Sequence, residues 1–367
     1  MDRQNAGGGL ILSTAALRSN RLRCFALAGL FLTALTLHAA TWEISVVHDA
    51  PLPAAMNARD VRWSGEQTVL LAAALDGVVQ VDVRNPVDPS VVIRGHTVWS
   101  HVSGKVPAFF ASAFLATTSD TLVVSSSFYA IAWRKRGAPD LTQLAFASPE
   151  DIDAHGDRAV VVGVAGDATG HWPLEGPTLW SVPLGGGSIE PIRPSPSMAS
   201  YRNCFLMFNK PVRFFPDGRF AFASSVEPGV ALFDAQRHLI RTWRTEGLGY
   251  EDRCTVTPEQ SQVFGGDLVG RLRWINRRQL LDEMLTLPDG VLLIIRTPRP
   301  KGTAWRAVLL PFDGEPVGVE IPLSSPSPYA HVRADVRNNR IVFLVDDSPP
   351  EDVPRVPGRV VIARIHQ

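Results

Sequence analysis

Along most of this chain apolar and polar residues alternate, or apolar residues cluster, in short runs that stop at Gly, Pro, Asn or Asp. That is the pattern of β-strands joined by tight turns. The clearest stretch is Lys210 to Glu246, which reads as strands at Val212–Phe215, Arg219–Ser224, Val230–Asp234 and Leu239–Thr245. Pro216-Asp217-Gly218, Glu227-Pro228-Gly229 and Ala235-Gln236-Arg237 separate them, so the stretch predicts an antiparallel four-stranded meander. Such a sheet cannot bury both faces alone, and repetition of the unit around an axis is the physical solution.

Comparable units begin at Ala58, Ala113, Ser148, Arg253 and Thr286, and a three-stranded unit runs from His331 to Ile365. Their inner turns fall near Gly65, Asp120, Gly156, Gly218, Gln260, Gly290 and Asn339. Seven turns predict an all-β fold, a seven-bladed β-propeller. Six blades is the alternative, because the Arg253–Leu281 unit is short enough to be part of a neighbour. The lone strand Thr41–Val47 would pair with the last blade and close the ring, since an open ring leaves an unpaired edge. Residues 41–367 then form a single propeller domain. Arg277–Leu285 carries a 3.6-residue apolar period and predicts a turn or two of helix between blades.

Residues 1–40 follow a different logic. Arg3, Arg18, Arg21 and Arg23 precede the apolar run Phe25–Leu37 and the small residues Ala39 and Ala40, the layout of a secretory signal peptide. The chain is therefore expected to be secreted or periplasmic. A run of 13 residues is short for a bilayer, so no stable membrane span is expected after cleavage, and an uncleaved anchor is the other reading. Cys24 falls inside the signal, which leaves Cys204 and Cys254 to form one disulfide, or to remain as two buried thiols.

Composition narrows the partners. Lys+Arg and Asp+Glu both number 36, so the net charge is zero and no field draws in nucleic acid. A length of 367 residues suits one repeat-built body, read as a monomer.

At Ser148–Val164 and Lys210–Trp243 the residues resemble the repeats of bacterial propellers of the NHL and YVTN kind. Pro149-Glu150-Asp151-Ile152 and Pro211-Val212-Arg213-Phe214 match the proline-led inner strand, Asp217-Gly218 the turn, and Phe233-Asp234 the end of the third strand. The resemblance implies a ligand site where the inner strands begin, at one mouth of the central channel. Those positions carry Arg59, Asp60, Glu150, Asp151, Asn209, Lys210, Glu251, Asp252, His331 and Arg333.

Two functions are compatible with that mouth. The first is a binding or interaction module without catalysis or cofactor, taking a protein, a small molecule or a carbohydrate, the last through a stacking face such as Trp172. The alternative is a metal-dependent hydrolase or lyase, because the repeated Glu150-Asp151 and Glu251-Asp252 pairs could gather oxygens around a Ca²⁺-type ion. The same acids would otherwise pair with Arg59, Arg253 and Arg333. No zinc spacing occurs among the nine histidines and no G-x-S-x-G elbow is present. Gly265-Gly266-Asp267-Leu268-Val269-Gly270 departs from dinucleotide-binding spacing and reads as a hairpin turn. Trp63, Trp133, Trp243 and Trp274 read as packing between blades.

Overall fold

A computed structural model of the chain describes residues 42–73, 77–94, 112–126, 130–146, 148–165, 176–193, 204, 209–224, 228–251, 253, 255–347, 349 and 353–366. The signal segment, Trp172, Asp252 and Cys254 lie outside the described residues. Strand β1 (Glu43–Pro51) opens the fold but belongs to its last sheet. The first blade is β2 (Ala58–Trp63), β3 (Thr68–Ala73), β4 (Gly77–Asp82) and β5 (Asn85–Arg94). The second is β6 (Ser112–Thr117), β7 (Thr121–Ser126), β8 (Ala130–Lys135) and β9 (Thr142–Ala145). The third is β10 (Ser148–His155), β11 (Arg158–Val164), β12 (Leu179–Pro183) and β13 (Glu190–Pro191), and the fourth is β14 (Val212–Phe214), β15 (Phe220–Ala223), β16 (Val230–Phe233) and β17 (Leu239–Trp243).

Two helices follow, α1 (Pro258–Gly266) and α2 (Leu268–Ile275). The fifth blade is β18 (Leu280–Leu287), β19 (Gly290–Arg299), β20 (Gly302–Pro311) and β21 (Val317–Ser325). The sixth is β22 (Ala330–Arg337), β23 (Arg340–Asp347) and β24 (Arg359–His366), completed on its outer side by β1. All pairings are antiparallel, and β1 runs from Glu43 opposite His366 to Pro51 opposite Arg359. The first strands of the blades, β2, β6, β10, β14, β18 and β22, touch in sequence and close on themselves, so the sheets radiate from one axis.

The ring has six blades, not seven. The Arg253–Leu281 unit is not a blade but a helical hairpin, and local capping explains why. Thr257 accepts from the Gln260 amide while the Gln260 side chain accepts from the Thr257 amide, and Pro258 occupies the first helical turn. Asp267 then caps α2 by accepting from the Gly270 amide, so the expected glycine hairpin is the junction of two helices. Arg277–Leu285 goes the opposite way. Its apolar cluster lies in β18, buried on both faces, where a strand reads as a continuous apolar run and periodicity cannot separate it from helix.

The turns follow the residues. Gly218 sits at φ 86° in the turn between β14 and β15, a conformation that strains any residue with a Cβ. Asn338 and Asn339, at φ 49° and 59°, both take the left-handed region that a two-residue hairpin of this hand requires.

Apolar clusters fill the seams between blades. Along β23, Ile341 and Phe343 pack toward the fifth blade while Val342 and Leu344 pack toward the first, so one strand feeds two seams by simple alternation. Trp63, Trp133, Trp243 and Trp305 each join one of these clusters.

Closure gives the first prediction. A chain beginning at Leu52 lacks β1, which leaves the edge of β24 unpaired and removes Ile44 from the seam between the fifth and sixth blades. It is expected to self-associate and to melt at lower temperature than the full chain. Light scattering and calorimetry check this, and a monomer of unchanged midpoint would count against ring closure by β1.

Candidate functional site

The axis is built from charged residues on the inner strands. The ladders slip at Ala58/Asp60, Pro149/Asp151 and Leu281/Glu283, and an acid follows each irregularity. Asp60 accepts from its own neighbour, the Val61 amide (2.8 Å), and from the Leu115 amide of the second blade (2.8 Å). Asp151 does the same with Ile152 (2.9 Å) and with Val212 of the fourth blade (3.1 Å). Asp153 takes Ala154 and Phe214, and Asp335 takes Val336 and Trp63. Glu283 takes Met284 at 2.8 Å and Ala334 at 3.5 Å. Each carboxylate thus ties one inner strand to the next with two hydrogen bonds.

Three arginines neutralise these acids. Arg62 pairs with Asp60 at 2.9 Å, and Arg213 bridges Asp151 (2.7 Å) and Glu283 (2.6 Å). Arg333 lies 3.8 Å from Glu283, donates to Asn209 at 3.4 Å and stacks over the Phe114 ring. Burial opposes the cations, yet the surrounding acids raise the pKa of Arg62 and hold that of Arg213 well above its ordinary value. Burial pushes the carboxyls of Asp153, Glu283 and Asp335 upward, with arginines partly offsetting it.

The mouth where the inner strands begin holds most of the residues expected to form a site. Glu150 faces the fully buried Lys210 at 3.7 Å and accepts from Ser148 at 3.1 Å; burial raises the pKa of the acid and lowers that of the amine. Asn209 donates to the Asp282 carbonyl at 3.1 Å. His331 lies 3.6 Å from the Asp282 carboxylate, which also accepts from Trp305 and from the Val332 amide. Burial opposes the Asp282 charge, but His331, Arg296 and Trp305 hold its pKa below the usual value. Arg59 is exposed and pairs with Asp346 at 3.4 Å. Glu251 pairs with Arg278 and bonds through its amide to Gln279, with no bond to the Glu150 group among the described residues. Nor do any three His, Cys, Asp or Glu side chains among those residues converge to hold a metal ion.

Among the described residues a large cavity lies at the other end. Where the inner strands finish, a cavity of about 1300 Å³ starts at Trp63, Thr117, His155 and Asp335 and runs outward between the first and second blades. Leu70, Gln80 and Val92 line it from successive strands of the first blade, and Leu122 and Arg134 from the second. Its rim is the Thr118–Thr121 turn and the segment Lys135–Pro139. Thr118 and Thr121 donate to Asp120 at 3.0 Å and lower its pKa. His155 bonds through Nε2 to the Pro216 carbonyl at 3.0 Å and stacks on Phe214. Sequence reasoning missed this end because its residues come from turns and third strands that share no motif. It also missed the ionic axis, although Asp60-Val61-Arg62, Asp151-Ile152-Asp153 and Arg333-Ala334-Asp335 repeat a charge at every second position of an inner strand.

No family model matches the chain, and no curated protein matches it. Among solved structures, a member of the DUF4221 family from Bacteroides vulgatus is similar with a TM-score of 0.51 at 10% identity, over 89% of this chain and 98% of that one. YCF48 from Cyanidioschyzon merolae gives 0.46 at 10% identity over 89% and 99% of the two chains. The WD40 propeller domain of Doa1 gives 0.46 at 11% identity over 87% and 96%. The first likeness, at that identity, is one of β-propeller fold alone.

The ionic axis makes a quantitative prediction. Arg213→Met removes the cation shared by Asp151 and Glu283 and is expected to cost about 3–5 kcal/mol at neutral pH. Glu283 already has a raised pKa in the folded state, so its contribution is fullest below its unfolded pKa and is given up as pH rises through the folded one. The loss should therefore be larger at pH 8 than at pH 5, which urea denaturation at the two values checks. A pH-independent loss would show that repulsion between the stranded acids is not its source.

Proposed function

We propose that this propeller is a non-catalytic binding module that takes an extended segment of a protein partner in the groove between its first and second blades. The shape of the cavity supports the reading. Trp63, Leu70, Gln80 and Val92 lie on four successive strands of one sheet. Strands are spaced about 4.8 Å apart, so the groove reaches roughly 14 Å outward from the innermost strand, enough for about four residues of extended chain. The polar groups that line it are arranged for holding and not for reaction. Asp120 is kept ionised by two hydroxyls, Asp335 is occupied by two amides, and His155 is tied to a carbonyl.

Panning a displayed library of random peptides against the full chain tests the groove. The selected peptides should bind one to one, lose at least about tenfold in affinity on Gln80→Trp, which fills the groove, and be unaffected by His331→Ala at the opposite mouth. The reverse sensitivity would move the site to the mouth where the inner strands begin.

We propose further that the chain is exported and that Cys204, which is fully buried, is joined to Cys254. The arginines and apolar run before residue 41 support export. Thiol counting on denatured mature protein, with its amino-terminal sequence, checks both. Two free thiols would reject the bond, and a mature chain still starting at Met1 would reject cleavage.

A further inference from the structure

We infer that the groove selects an acidic segment, whose carboxylates meet a wall of cations formed by Arg134, Lys135, Arg136 and Arg337. The inference rests on the reading of the groove as the binding site and names the class of its occupant. The chain as a whole is neutral, so an excess of positive charge in one cavity is a local feature. Four cations line this cavity against two carboxylates, Asp120 and Asp335. Both acids are already engaged within the protein, Asp120 by the Thr118 and Thr121 hydroxyls and Asp335 by the Trp63 and Val336 amides. Of the cations, Arg337 lies 3.6 Å from the Glu66 carboxylate. Lys135 and Arg136 are exposed, and Arg136 has no side-chain partner among the described residues. Arg134 donates to the Val92 carbonyl at 3.0 Å, which holds its guanidinium across the seam between the blades.

A carboxylate entering along the groove would meet these cations. A cationic segment would meet like charge along the whole wall.

Fluorescence anisotropy with three labelled hexapeptide probes, all-glutamate, all-serine and all-lysine, tests this on the full chain. The glutamate probe should bind at least about tenfold more tightly than the serine probe, weaken as salt is raised, and lose about tenfold on the double change Lys135→Glu and Arg136→Glu. The pair Arg299→Glu and Lys301→Glu, on an exposed hairpin elsewhere, should change nothing; thermal midpoints identify any variant that fails to fold. Equal binding of the glutamate and serine probes, or an equal loss from the Arg299 and Lys301 pair, overturns the inference. If panned peptides depend on Gln80 but carry no excess of Asp or Glu, the acidic preference fails while the groove stands. If the glutamate probe binds Gln80→Trp undiminished, both fail.

Discussion

A carboxylate that accepts one hydrogen bond from its own strand and another from the next blade is the interaction on which the ring depends. Radial sheets bring their inner strands close at the axis, but strands of different blades do not form a continuous ladder. Some of their amides would be left without acceptors near the centre, where water is scarce. Asp60, Asp151, Asp153, Glu283 and Asp335 fill that need. Burying so many acids in one place then demands cations, which Arg62, Arg213 and Arg333 supply. The apolar seams pack the blades against one another, and the ionic axis links their inner strands.

That solution has a functional consequence. Many of the oxygens at the axis are committed to amides and arginines that hold the inner strands together. Open volume is found where the staples end, in the seam between the first and second blades. That seam is packed by Leu70, Ala72, Val78, Ile93, Leu115, Val124 and Ala132, residues without aromatic bulk. Furthermore β6 carries no acid, so the second blade receives a staple from the first but offers none to the third. The second blade is tied to its neighbours instead by Arg134, which donates to the Val92 carbonyl of the first blade, and by Trp133, which donates to the Leu184 carbonyl of the third.

The cation wall follows from the same geometry. Arg134 and Lys135 end the third strand of the second blade, with Arg136 in the turn that follows, and Arg337 ends the first strand of the sixth. They are far apart in sequence, yet both strands run toward the same end of the ring. Charges at corresponding ends of different strands are therefore gathered at one mouth, as the carboxylates are gathered along the axis.

Much of the fold could be read from residues because it rests on local chemistry. Alternation within each run dictated strands, Asp217-Gly218 and Asn338-Asn339 dictated turns, and sheets with two apolar faces demanded neighbours. The exception at Arg253–Leu281 was also local, since Thr257-Pro258-Glu259-Gln260 is a helix-capping signature whose weight a short apolar pattern concealed. What no stretch of sequence carried was which residues would meet. Glu150 and Lys210 are sixty positions apart and Trp63 and Asp335 more than 250, so their contacts exist only once the ring is closed. Strand, turn and the need to repeat were determined by the sequence alone, because they depend on neighbours along the chain. The number of blades, the filled axis and the location of the groove were decided by tertiary structure, because they depend on which strand ends the closed ring brings side by side.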